Sequence, residues 1–274
     1  MFDRRKPHLA VWLWICDPTI PSWRRDKSEK APLIPYGTPL HYAAFCGLHE
    51  VVKVLAIERP QDVNSRSFTG EETPLHLTSR EGHVDVSRLL IEHGADAAAQ
   101  SKDGTTPLHR SSFWGHVDVA RLLIEHGADA AAQSKDGTTP LHRASAGGHV
   151  DVSRLLIEHG ADVAAQSKDG TTPLHETSLR GHVDMARLLI EHGADAAAQS
   201  KDGTTPLHQA SGRGHVDVAR LLIEHGADAA AQSKDGMTLL HWAPFRRTIF
   251  VAVVCFVSVG VMWGIVPMRK PLIS

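Results

Sequence analysis

The stretch Asp103–Lys135, DGTTPLHRSSFWGHVDVARLLIEHGADAAAQSK, decides the fold, because shifting the reading frame by its own length nearly reproduces it. Thr-Pro-Leu-His starts at Thr73, Thr106, Thr139, Thr172 and Thr205 in steps of 33 residues, with an earlier start at Thr38 and a decayed Thr-Leu-Leu-His at Thr238. A fixed period of this kind marks stacked repeats. Within the unit, Thr106 is an N-cap residue type and Pro107 suits the first helical position, where a missing N–H is no loss. A short first helix therefore runs to Gly115, which can take the left-handed conformation that ends it. His116 and Asp118 open a second helix, with the carboxylate near the positive end of the helix dipole. Val119, Leu122 and Leu123 form one apolar seam. Gly127 stops that helix, and the segment from Ala128 to Gly137 is a finger closed by the turn dipeptide Asp136-Gly137. One such unit cannot bury its own seam, so stability must come from neighbours stacked on either side.

TPLH, a small pair, GH, a Leu-Leu helix and GAD make the chain from Tyr36 to about Ala243 resemble the ankyrin repeat. The resemblance implies an all-α solenoid of helix-turn-helix units, about six repeats plus a truncated seventh. It also implies protein partners bound along the groove formed by the first helices and finger tips. Three segments follow: an N-terminal helix and Pro-rich linker over 1–35, the repeat array over 36–245, and an apolar C-terminal segment over 246–274.

With 42% hydrophobic and 22% charged residues the chain has the composition of a folded soluble protein, and a net charge of -2 predicts no general nucleic-acid affinity. Cys16, Cys46 and Cys255 show no paired spacing and form no disulfide framework, which points to a reducing compartment. The N-terminal run Leu9 to Cys16 is too short, and too quickly interrupted by Asp17-Pro18, for a secretory signal. Leu9, Trp12, Leu13 and Trp14 are instead expected to pack on the first repeat as a cap. This stretch and the first repeat, HYAAFCGLHEVVKVL, resemble the start of the ankyrin array in fungal proteins that carry an upstream NACHT domain. No GxxxxGK[ST] phosphate loop occurs here, so ATP binding is not carried over and no cofactor is expected. The first repeat is two residues longer than the rest, with the extra length expected near Arg59-Pro60-Gln61.

Across the five internal units the second helix hardly changes, and variation concentrates in the first. The position after TPLH holds Leu77, Arg110, Arg143, Glu176 and Gln209. The two before Gly hold Arg80-Glu81, Phe113-Trp114, Ala146-Gly147, Leu179-Arg180 and Gly212-Arg213. The ankyrin resemblance puts these positions on the partner-binding face. Five arginines against two glutamates make that face mildly basic and predict a partner with an acidic patch. Phe113 and Trp114 are the candidate anchor, since Trp and Arg dominate binding hot spots. Drift after recent duplication of a solvated face is the competing reading.

Each full repeat supplies three histidines, in TPLH, GH and EHG, a recurrence that fits a structural role and not zinc-ligand spacing. The TPLH histidine, by the resemblance, braces neighbouring loops. No singular nucleophile with a base stands out, so no catalysis is expected. The finger GADAAAQSKDG has Ala98 and Ser101 where ankyrin loops carry Asn and Asp, which predicts weaker loop bracing and more mobile tips.

After His241 the array stops, with Leu239 in place of the helix-starting Pro. Thr248 to Val266, TIFVAVVCFVSVGVMWGIV, carries no charge over 19 residues. At ~1.5 Å per residue it reaches ~28 Å as a helix, about the thickness of a bilayer's hydrocarbon core. Arg246-Arg247 and Arg269-Lys270 flank it and Trp263 lies near one end, as interfacial anchors do. A transmembrane helix is the reading this favours, with weak self-association through the GxxxG pair Gly260 and Gly264. A capping helix or a non-native tail would be its alternatives. The sequence thus predicts a noncatalytic scaffold or adaptor, single-pass and tail-anchored with a cytosolic array. The alternative is a ligand-sensing or regulatory fragment of a NACHT-type signalling protein, soluble in the cytoplasm.

Overall fold

A computed structural model describes residues 37–242; the expected N-terminal cap and the apolar segment from Thr248 to Val266 lie outside the described residues. Two compact units divide the chain, one ending at Pro173 and one beginning at Leu174. In the first, helices come in pairs: α1 (Pro39–Phe45) and α2 (His49–Glu58), α3 (Pro74–Glu81) and α4 (Val84–Glu92), α5 (Pro107–Trp114) and α6 (Val117–Glu125), α7 (Pro140–Gly147) and α8 (Val150–Glu158). In the second, α9 (Pro173–Arg180) is followed by α10 (Val183–Glu191), α11 (Pro206–Arg213) by α12 (Val216–Glu224), and α13 (Leu239–Trp242) is a single turn. Among the described residues there is no strand, only an isolated antiparallel bridge between Gln232 and Thr238. The expected all-helical repeat architecture is what forms.

The first unit stacks like on like. First helices pack α1 on α3, α3 on α5 and α5 on α7, while second helices pack α2 on α4, α4 on α6 and α6 on α8. The seam that requires this is buried as the periodicity predicts, with Val119, Leu122 and Leu123 at 0–2% exposure. Burying two leucines contributes roughly 3–6 kcal/mol per repeat before chain entropy is counted. Val54 in α2, the counterpart of the buried Leu89, is exposed.

The extra length of the first repeat lies in two places. One residue goes into a 3-10 turn, Pro60–Asp62, after α2. The other goes into the finger, where Glu71 takes a left-handed φ of 52° between Ser67 and Thr73.

Four bonds account for the three histidines of a repeat. In the third repeat, Nδ1 of His109 accepts from the backbone N–H of Thr106 at 3.1 Å, closing the start of α5. Its Nε2 donates to the carbonyl of Thr138, 3.0 Å away in the next repeat. The GH histidine reaches the other way: Nε2 of His116 donates to Arg80 O at 2.9 Å, and that of His149 to Phe113 O at 2.9 Å. The EHG histidine His126 donates from Nδ1 to Leu122 O at 2.8 Å and caps α6. In the second unit, His175 and His215 make the equivalent links to Thr204 O and Leu179 O.

The fingers are braced by other atoms than an ankyrin-type Asn and Asp. Ser101 Oγ lies 2.7 Å from Thr105 Oγ1 and accepts the Thr105 N–H at 3.2 Å, while Asp96 accepts the Ala98 N–H at 2.8 Å. Successive fingers then join by one backbone bond each, Lys135 N–H to Asp103 O at 2.9 Å and Lys168 N–H to Asp136 O at 2.8 Å.

One repeated position carries a local cost. Ser112, Ser145, Ser178 and Ser211 bury a hydroxyl with no hydrogen-bond partner among the described residues. Ser79, at the same place in the second repeat, bonds Leu75 O at 2.7 Å. An unmatched buried hydroxyl costs on the order of 1–3 kcal/mol. Ser112→Ala and Ser145→Ala should therefore each raise stability by about 1 kcal/mol in urea denaturation, whereas Ser79→Ala should lower it. Equal effects at the three positions would contradict this account.

Candidate partner-binding surface

The first helices carry the variable positions because their core contacts need only part of each helix. In α5, Leu108, His109, Ser111 and Ser112 are buried, which leaves Arg110, Phe113 and Trp114 to reach solvent. Phe113 is 37% and Trp114 53% exposed. Their rings meet edge to face, centroids 5.3 Å apart at 85°, the arrangement favoured by the ring quadrupoles. This geometry fixes both side chains without hiding them.

Leu77 is a correction. It is 1% exposed and belongs to the core of the first unit, so it presents nothing to a partner. Its position after TPLH is polar in the other internal repeats, and sequence variation there concealed that a leucine turns inward.

The arginines divide into committed and remaining charges. Arg80 Nε lies 2.8 Å from Glu81 Oε1, and its guanidinium stands 5.2 Å over the ring of Phe45, a cation–π contact. Arg110 Nη2 pairs with Glu72 Oε1, with side chains 34% and 15% exposed. Arg143 is half-buried on α7. The first unit is thus less basic on this face than a count of arginines implies. Glu72 and Phe45 were missed because both belong to the irregular first repeat and its finger, outside the strict period. Phe68, 82% exposed on that same finger, was missed for the same reason.

In the second unit Glu176, Leu179 and Gln209 are half-buried, and Arg180 and Arg213 are exposed. Among the described residues no group of three or more His, Cys, Asp or Glu is placed to hold a metal ion.

Comparison with known proteins agrees with this architecture. A family model described as ankyrin repeats, in three copies, matches residues 40–134, 127–200 and 192–252. The chain belongs to the ankyrin-repeat family, and its array is a protein-interaction module. It is similar to human protein phosphatase 1 regulatory subunit 27, 38% identical over 82 residues, which is 30% of this chain and 52% of that protein. It is also similar to mouse ankyrin repeat domain-containing protein 13B, 32% identical over 66 residues, 24% of this chain and 10% of that one. Alpha-latrocrustotoxin-Lt1a of Latrodectus tredecimguttatus matches at 38% over 65 residues, covering 24% of this chain and 4% of the toxin. The aligned stretches span about half or less of each relative.

Proposed function

We propose that this chain is a noncatalytic scaffold or adaptor that binds a protein partner through the variable face of its first helices. The observation that carries the reading is the exposed, edge-packed pair Phe113 and Trp114, the largest apolar side chains on that face. Exposed aromatics of this size are the residues that anchor interfaces. Arg143, Arg180 and Arg213 favour an acidic patch on the partner, each acting within its own unit. A protein phosphatase is the first partner to try, because the human relative is named as a phosphatase regulatory subunit.

Arg110 is already held by Glu72, so most of the binding energy rests on Trp114. Trp114→Ala should weaken the complex about 30-fold, and adding Arg110→Ala should add little. Cross-linking in cells followed by mass spectrometry compares the two variants with the wild-type chain; an unchanged partner set with Trp114→Ala would refute the reading.

The membrane part of the proposal rests on the uncharged run from Thr248 to Val266, with the array on the cytosolic side. Among the described residues no helix is long and apolar enough to cross a membrane. Carbonate extraction of the full chain beside a chain ending at Ala243 is the test. Retention of the full chain alone in the membrane pellet supports anchoring, and equal solubility removes it.

A further inference from the structure

Two adjacent repeats of the first unit meet at an abrupt step in relief. At the last two positions of the first helices, α3 carries Arg80-Glu81, α5 Phe113-Trp114 and α7 Ala146-Gly147. The bulkiest pair therefore stands directly beside the smallest. Gly147 is approached closely: a Cβ there would lie 2.4 and 2.5 Å from Cδ2 and Nε2 of the His149 ring and 2.7 Å from the carbonyl oxygen of Phe113, to which that ring donates. The floor of the step is thus the edge of the His149 ring and the methyl group of Ala146, and the neighbouring helix carries the Phe113–Trp114 pair beside it.

A cation lies one helical turn away. Arg143 precedes Gly147 by four residues, so the two share a face of α7, about 6 Å apart along the helix. In the preceding repeat Arg110 is paired by Glu72, the residue just before Thr73. The residue in that place before Thr106 is Thr105, so Arg143 lacks the carboxylate that engages Arg110.

We propose that this step is a binding subsite for a short partner segment. The segment places an aliphatic or aromatic side chain against Trp114 over Ala146 and the edge of the His149 ring, and a carboxylate on Arg143. The ~6 Å between the two features matches side chains two apart in an extended peptide or four apart in a helix. The apolar group gains by leaving water against the ring pair, and the carboxylate fixes direction along α7. The subsite rests on the proposed partner-binding role and sharpens it, from an aromatic anchor to an apolar-acidic motif with defined spacing.

The test is selection of a random 12-residue peptide library on the full chain, with affinities of enriched peptides then measured by fluorescence polarisation. Enriched peptides should share an Asp or Glu two or four residues from an aliphatic or aromatic residue. Ala146→Arg fills the step with the residue type that the second repeat carries there, so the fold tolerates it. It should weaken these peptides at least tenfold, as should Arg143→Glu, while Arg121→Glu, an exposed charge reversal on α6, leaves them unchanged. Circular dichroism melts confirm that the variants fold. If no peptide carries the motif, or if peptides lose affinity with Trp114→Ala but not with Ala146→Arg, the subsite is wrong and the anchor reading survives. If neither Trp114→Ala nor Ala146→Arg affects any binder, both readings fall.

Discussion

Acidification from pH 7 to 4.5 is expected to remove most of the array's stability, with the loss starting well above the range in which carboxylates titrate. The cause is the TPLH histidine. Burial pushes His76 and His109 down from 6.5 to about 4, and it lowers His41, His142 and His208 in the same direction. The bonding explains why these rings stay neutral. Nδ1 of His109 accepts an N–H while Nε2 donates to a carbonyl, so a second proton would set Nδ1 against a donor. The unfolded chain binds protons near 6.5 and the folded chain only near 4, so the unfolded state holds more protons between those limits. Stability is full above about 6.5, falls as pH drops through that window, and has lost the whole contribution below about 4. For His76 and His109 this is on the order of 3 kcal/mol each, against a total of ~5–15 kcal/mol for a typical domain. Urea unfolding followed by circular dichroism at pH 7.5, 6.5, 5.5 and 4.5 measures it. The pair His76→Gln and His109→Gln should be less stable at pH 7.5 yet show a flatter slope between 6.5 and 5. A wild-type curve flat over that window would exclude the mechanism.

The same histidines show what was legible in the sequence and what was not. Period, capping residues and the Leu-Leu seam are local facts, so the helix pairs and their stacking could be read from TPLH, GH and GAD. The partner of the GH histidine could not, because Arg80 O is reached across repeats, whereas the bond from His109 to Thr138 O is the loop bracing that the resemblance implied. The candidate surface was legible where variation and exposure coincide, as at Phe113 and Trp114. It failed at Leu77, where a variable position is filled by a residue that stays inside. The arginine count overstated the charge because Glu72 sits in a finger whose register the first repeat shifts, so its pairing with Arg110 follows from the fold and not from the period. The serine that braces the finger fell between these cases. Ser101 replaces an expected aspartate, yet its hydroxyl reaches Thr105 because the loop closes on itself within four residues.

A methyl group at Gly82 should cost far more than one at Gly127, although both glycines are left-handed, at φ 80° and 88°. An alanine in that conformation costs about 1–2 kcal/mol by itself. At Gly127 nothing lies within 4 Å of where the Cβ would stand, so Gly127→Ala should cost only this. At Gly82 the Cβ would lie 2.6 Å from Nδ1 and Cε1 of the His116 ring, closer than nonbonded atoms can stand. The ring must leave, and with it goes the bond from Nε2 to Arg80 O that ties the third repeat to the second. Losing that bond and leaving the partly buried carbonyl without this partner adds about 1–3 kcal/mol. Gly82→Ala is thus expected to destabilise by about 3–5 kcal/mol. A double-mutant cycle separates the two causes. In a His116→Ala background the ring is already gone, so Gly82→Ala should cost no more than Gly127→Ala does in the wild-type chain. If its cost stays at the full value in that background, backbone strain alone is responsible. The glycine then ends α3 without also serving as the seat for the next repeat's histidine.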